Sequence, residues 1–371
     1  MVFSSLPFLF LFLTVVLLVS HILPFRFRNF FLLLANLVFY AYGEPVYVLI
    51  MIGSILVNFF AGLLMDKQST QGRRRAVLVV GIVLNLAALG VFKYAGLFVS
   101  TLREIPGLSS LPEVDIALPI GISFYTFQAV SYLIDVYWDD CAASHNLINF
   151  ASYISLFPQL IAGPIVRYKD VNEQLVSRRE TPTLFNSGVR LFVVGLAKKV
   201  LLANQFGMLW DAMSADPVAA GALGAWAGAC AYTLQIYFDF AGYSDMARGL
   251  GRMLGFEFCI NFNYPYISKS VTEFWRRWHI SLSTWFRDYV YIPLGGNRCG
   301  KLRQCANILV VWALTGFWHG AGWNFLFWGF YYGVLLLLEK LLLGKYIRRL
   351  PAVFQHLYAM VIVIIGWVFF A

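Results

Sequence analysis

The sequence predicts an all-α, polytopic membrane protein whose broken and interfacial helices surround an internal tunnel, and three observations carry that prediction. The first is composition: of 371 residues, 60% are hydrophobic and only 13% charged, with a mean hydropathy of +0.70, whereas an ordinary soluble domain is about 25% charged. The second is the recurrence of apolar runs near the roughly 20 residues that a helix needs to cross a bilayer. The third is the gathering of Lys and Arg into a few connecting segments, the pattern that holds loops on the cytoplasmic side.

The apolar runs fall at residues 5–24, 29–42, 45–65, 76–100, 116–138, 147–165, 184–213, 222–247, 304–320, 322–343 and 352–371. Some are short or interrupted, so the expectation is about nine to eleven membrane segments in one integral-membrane domain, residues 1–371. Breaks are expected at "GEP" (Gly43–Pro45), "LPIG" (Leu118–Gly121) and "AGP" (Ala162–Pro164). Broken helices survive at membrane depth only where protein or a water-filled cavity satisfies the freed backbone groups, which is the reason to expect a tunnel.

Leu6 to Val19 has the length of a secretion signal, but no basic residue precedes it and no small-x-small site follows, so it is read as the first retained span. The last residues, "VIVIIGWVFFA", stop inside an apolar run, and a longer natural chain is expected. Cys141, Cys230, Cys259, Cys299 and Cys305 are odd in number and lack C-x-x-C spacing, which points to free thiols. No low-complexity tract or fixed-period repeat stands out.

The net charge of +9 informs through its distribution. Lys67 with Arg73, Arg74 and Arg75 makes a cytoplasmic loop, with Arg26 and Arg28 two spans earlier, so the N-terminus lies outside. Leu102 to Asp115, with one Arg against Glu104, Glu113 and Asp115, fits the outer face. Gly251 to Arg303 carries eight Lys/Arg against three Asp/Glu and faces the cytosol.

Two stretches carry the candidate chemistry. "EFWRRWHISLSTWFRDYVYIPLGGNR" (Glu273–Arg298) is aromatic and amphipathic, as expected of a helix lying partly in the interface. A plain headgroup anchor accounts for its Arg and Trp residues, yet gives no reason for His279, set between Trp278 and Ile280 and followed by Ser281 and Ser283. In "LTGFWHGAGWNFLFWG" (Leu314–Gly329), His319 lies in or at the end of an apolar helix, where an ionisable group is costly unless it faces a cavity or a partner. Gly316, Gly320, Ala321 and Gly322 permit close approach of a backbone or a ligand. A hydrogen-bonded core histidine locking two helices is the competing reading. The topology brings His279 from the cytosolic side and puts His319 deep or near the outer mouth, so the pair brackets a tunnel.

Histidine, with an ordinary pKa of about 6.5, titrates closest to neutrality and so suits a general base. No G-x-S-x-G nucleophile is present; "GISFY" (Gly121–Tyr125) departs from it at the last glycine. Direct transfer is the simpler route, and relay through Ser281 or Ser283 stays open. H-E-x-x-H and the G-x-x-x-x-G-K-[ST] loop are absent, "GLGRMLG" (Gly249–Gly255) misses the dinucleotide spacing, and His145 lacks the aspartate of an H-x-x-x-x-D pattern. Metal and nucleotide dependence have no support. Asp239 and Asp245 read as partners of Arg248, Arg252 or the "RRW" arginines, with substrate contact as the alternative; Asn261 and Asn263 read as turn residues around Pro265. Arg276, Arg277, Arg287, Arg298, Lys301 and Arg303 suit an anionic donor, although the positive-inside rule explains them equally well.

"YFDFAGYSDMARGLGRMLGF" (Tyr237–Phe256), "NFNYPY" (Asn261–Tyr266), "FWRRWHISLSTWFRDYVYIPLGGNR" (Phe274–Arg298) and "TGFWHGAGWNFLFWG" (Thr315–Gly329), in that order, closely resemble the membrane-bound O-acyltransferases. Together with "MVFSSLPFLFLFLTVVLL" and "LPIGISFYTFQAVSYLIDVY" (Leu118–Tyr137), they extend the resemblance over nearly the whole chain, nearest to the bacterial branch that O-acetylates alginate and peptidoglycan and, more distantly, D-alanylates teichoic acid. The resemblance implies that His319 is catalytic and His279 the second active-site histidine. Arg276, Arg277, Trp278, Ser281 and Asn324 are then the candidate donor contacts. It implies acetyl-CoA as donor with no permanently bound cofactor, and an extracytoplasmic polysaccharide acceptor, alginate foremost. It further implies a periplasmic SGNH-hydrolase-like partner, contact with membrane lipids but not nucleic acid, and a place in the bacterial inner membrane. D-alanyl transfer, peptidoglycan O-acetylation and a non-catalytic acyl-donor transporter are the alternatives.

Overall fold

The computed structural model describes residues 2–161 and 163–371, and among them every regular element is helical. The order is α1 (Pro7–Ile22), α2 (Phe25–Gly43), α3 (Val48–Asp66), α4 (Gln71–Arg103), α5 (Ile122–Tyr137), α6 (Leu147–Ser155), α7 (Tyr168–Ser177), α8 (Pro182–Ser214) and α9 (Pro217–Met253), the last interrupted by a kink at Gly221. Then follow α10 (Val271–Arg277), α11 (Ile280–Phe286), α12 (Lys301–His319), α13 (Trp323–Ile347) and α14 (Ala352–Phe370). Two of the expected breaks are real: α2 stops at Gly43, and α5 starts after Gly121. The third includes Ala162, which lies outside the described residues.

Among the described residues five helices, α3, α4, α8, α13 and α14, are long and apolar enough to cross a membrane, and α1 is a shorter apolar helix. That is fewer than the nine to eleven segments read from hydropathy, because an apolar run reports burial, whether in lipid or in protein. The run containing α5 shows the difference: this helix has 16 residues, and 12 of them are buried within the protein. The protein is therefore a multi-pass membrane protein with some of its apolar helices shielded by others.

The sequence reading treats residues 1–371 as one domain; packing groups them into two compact units, Met1–Leu196 with Tyr243–Cys259, and Ala197–Gly242 with Ile260–Ala371. In the first unit, Phe3, Phe8, Phe39 and Phe157 form a ring cluster with centroids 4.9 to 6.3 Å apart. Several polar groups in this core are answered within it: Asn58 and Asn85 pair across α3 and α4 at 2.7 and 3.0 Å, and Asp135, wholly buried on α5, meets Lys169 at 2.8 Å. Arg178 donates to the Leu254 carbonyl and to Asn29 Oδ1.

The second unit is built around Trp275, Trp328, Tyr332 and Trp367, all buried. Aromatic rings of this size each remove roughly 150–250 Å² from solvent, which makes this nest its main source of cohesion. α12 and α13 form an antiparallel pair whose axes approach so closely that a Cβ on Gly316 would run into the Phe325 carbonyl, and one on Gly329 into the Trp312 carbonyl. The small residues around His319 thus serve a tight helix contact.

Candidate active site

The stretch read as one interfacial helix is two short ones. α10 ends at Arg277, Trp278 is extended, and His279 takes left-handed backbone angles (φ 44°, ψ 55°) as the residue that starts α11. Its rings turn inward rather than toward headgroups: Phe274, Trp275, Trp278, Trp285, Phe286 and Tyr289 are all buried. The physical reason is the reversal at His279, which folds the aromatic faces of both helices against the protein.

A non-glycine residue in the left-handed region costs about 1–2 kcal/mol. The strand of chain from Asn261 to Asn263 offsets it. Asn263 N–H donates to the Arg277 carbonyl at 2.9 Å, Ile280 N–H donates to the Asn261 carbonyl at 2.9 Å, and Asn261 Oδ1 accepts from Ser281 N–H (3.2 Å) and Ser281 Oγ–H (2.9 Å). Asn261 itself is 1% exposed.

His279 is buried, with Phe240 packed edge-on at 4.7 Å and Trp318 at 6.0 Å. Its Nδ1 accepts the Leu282 N–H at 3.4 Å, so the proton of the neutral ring sits on Nε2, which has no hydrogen-bond partner among the described residues. Burial pushes the His279 pKa down to about 3. The ring is therefore a neutral donor at physiological pH.

His319 is the last residue of α12, half-buried, with Trp328 and Phe370 edge-on at 5.1 Å each and Trp318 at 5.0 Å. Trp318 is thus a common neighbour of both histidines. His279 and His319 line one cavity of about 1140 Å³ in the second unit, together with Arg276, Trp278, Ser283 and Thr315.

Of the other residues singled out in the sequence, Arg277, Ser281 and Asn324 are not on this wall. Arg277 is held by Glu273 at 2.9 Å, Ser281 is committed to Asn261, and Asn324 is exposed near the start of α13. The basic character of the wall also differs in its source. Arg276 and Arg287 are there as expected, but Arg298, Lys301 and Arg303 are not, and Lys269, Lys340, Lys345 and Arg348 take their place. The signal for the last three is the basic run "EKLLLGKYIRRL" (Glu339–Leu350), which closes an apolar segment. Asp245 pairs with Arg248 at 3.3 Å, as read, whereas Asp239 pairs with Lys199 at 2.6 Å. All five cysteines are free thiols.

Glu339 was not singled out. Though nearly buried, its carboxylate accepts from Val271 N–H (2.7 Å), Thr272 N–H (2.9 Å) and Thr272 Oγ–H (2.6 Å), fixing the start of α10 to α13. That fixes the helix from which Arg276 faces the cavity.

A helical membrane protein with two histidines on the wall of one cavity, lined by aromatic as well as charged side chains, has the equipment for proton handling and acyl transfer within a membrane. Comparison makes the class definite. The membrane-bound O-acyltransferase family model matches residues 139–370. A protein of Pseudomonas aeruginosa named "probable alginate O-acetylase AlgI" is 46% identical over 376 residues, covering 100% of this chain and 72% of that protein. The peptidoglycan O-acetyltransferase of Helicobacter pylori is 34% identical over 93% of this chain and 71% of its own length. The teichoic acid D-alanyltransferase of Streptococcus thermophilus is 33% identical over 61% of this chain and 58% of its own. The chain belongs to the membrane-bound O-acyltransferase family, and it is an O-acyltransferase.

Proposed function

We propose that this protein is the membrane acetyltransferase of an exopolysaccharide O-acetylation system in the bacterial inner membrane. It takes acetyl from acetyl-CoA on the cytosolic side and passes it, through a separate periplasmic SGNH-hydrolase-like partner, to an alginate-like polysaccharide. The observation that carries this reading is the cavity shared by His279 and His319 beneath a basic wall; the names of the relatives at 46% and 34% identity support acetyl as the group moved.

His319 acts as the general base. It takes the proton of the acceptor hydroxyl as that oxygen bonds to the thioester carbonyl carbon, the C–S bond then breaks, and the leaving thiolate recovers a proton from the imidazolium. The carbonyl end of α12 favours the positive charge that His319 bears in between. His279 supplies its Nε2–H to the thioester carbonyl oxygen, where negative charge develops, from a position that excludes competing water. Lys269, Arg276, Arg287, Lys340, Lys345 and Arg348 attract the donor's phosphates. Ser283 is the cavity-lining hydroxyl open to a relay role.

The test is transfer of radiolabelled acetyl from acetyl-CoA by the purified protein with its partner and alginate. Label that moves with wild type but not with folded His319→Ala supports the reading. Donor binding without transfer by wild type overturns it and favours the D-alanyl or transporter alternatives.

A further inference from the structure

The left-handed turn at His279 is held from one side by a single residue that does not line the cavity. Asn261 supplies both acceptors: its carbonyl receives Ile280 N–H, and its Oδ1 receives Ser281 N–H and Oγ–H, all within 3.2 Å. These bonds bracket the two residues that follow His279, and no regular helix or strand does this work, because α11 begins only at Ile280. A side chain with φ of 44° and a buried ring among Phe240, Phe262 and Trp318 has nowhere to relax except by releasing the turn. Strain of this kind persists only where the surroundings over-determine it.

We infer that Asn261 is a positioning residue for acyl transfer, acting through His279 by fixing the turn that sets its ring on the cavity wall. This rests on the acyl-transfer role given to His279 above. Asparagine suits the task because its neutral amide oxygen accepts two bonds at once, whereas alanine would leave the buried Ser281 N–H and hydroxyl without their acceptor.

The experiment compares Asn261→Ala, Asn261→Asp and His279→Ala singly, and Asn261→Ala with His279→Ala together, using full-length protein in nanodiscs. Asn261→Ala is expected to lower kcat by about 30-fold, with the KM for acetyl-CoA changed less than about twofold, since a displaced donor to the carbonyl is lost mainly in the transition state. Asn261→Asp, which keeps Oδ1, recovers most of the rate. In the His279→Ala background, Asn261→Ala costs less than about twofold more, because both changes remove one interaction. A cost in that background equal to the cost in wild type, or an unchanged kcat, overturns the inference.

A second readout does not depend on activity. In protein labelled with nitrogen-15 at histidine, the His279 ring of wild type shows one tautomer with the proton on Nε2, and Asn261→Ala shows a mixture titrating nearer the ordinary range. A ring signal unchanged by Asn261→Ala sinks the positioning role. Failure of wild type to transfer acetyl removes the functional reading alone, and the ring signal still decides the role of Asn261.

Discussion

In the first unit Asp135 is fully buried and meets Lys169 at 2.8 Å, while Arg178, nearly buried, is taken up by a backbone carbonyl, an asparagine and Glu180. In the second unit six basic side chains line a cavity whose two carboxylates are already engaged, Glu273 by Arg277 and Glu339 by the start of α10. These charges of the first unit are answered within it and hold helices together. On the cavity wall Arg287 is paired with Asp288 at 2.7 Å, the other five basic side chains have no ion pair among the described residues, and beside them His279 keeps a buried donor without a hydrogen-bond partner among those residues. Leaving such a donor unmet costs about 1–3 kcal/mol; unmet buried donors also occur in the first unit, at Gln128 Nε2 and Arg248 Nε, so it is the mostly unpaired basic wall that sets the cavity apart.

The largest effect expected from breaking this contrast lies at His319. His319→Ala should lower kcat by about 10³-fold, or about 4 kcal/mol, with its thermal midpoint near that of wild type; steady-state acetyl transfer alongside a melting curve checks both. Lys169→Met addresses the first unit and should do the opposite. It takes the cation away from buried Asp135, costing about 3 kcal/mol of stability, while kcat of the protein that remains folded is unchanged. A kcat loss without destabilisation there would erase the distinction between the two units.

Next in size is the wall. Replacing Lys340, Lys345 and Arg348 together by alanine should raise the KM for acetyl-CoA by about 10-fold at low ionic strength, with the gap to wild type shrinking in 0.5 M salt as screening shortens the reach of charge to a few ångströms. A donor lacking phosphates should show no such gap.

The smallest effect is in pH. The folded pKa of His279 is depressed to about 3, below the roughly 6.5 of an unfolded histidine. Below pH 6.5 the unfolded chain takes up a proton that the folded one refuses, so stability is full above that value and falls as pH drops toward 3. The slope contributed is at most about 1.4 kcal/mol per pH unit. Melting curves from pH 7 to 4.5 should therefore fall less steeply for His279→Gln than for wild type.

Much of this was legible in the sequence where a residue was out of keeping with its neighbours. His319 in an apolar glycine-rich stretch and His279 among tryptophans each stand out, and both line the cavity. Asn261 read as a turn residue because "NFNYPY" has turn composition; that its amide reaches Ser281, 20 positions away, has no local signature. Glu339 reaches across 68 positions to Val271, and Lys340 and Lys345 sit at the end of an apolar run, where basic residues are ordinary.

Composition and hydropathy determined the environment and the helical class, since a chain this apolar must satisfy its backbone internally, and the order of its motifs determined the family. Tertiary structure decided which apolar runs face protein instead of lipid, which basic residues meet at the cavity, and how His279 is held. Those depend on distances between residues far apart in the chain, and a periodicity or a local motif carries no measure of such distances.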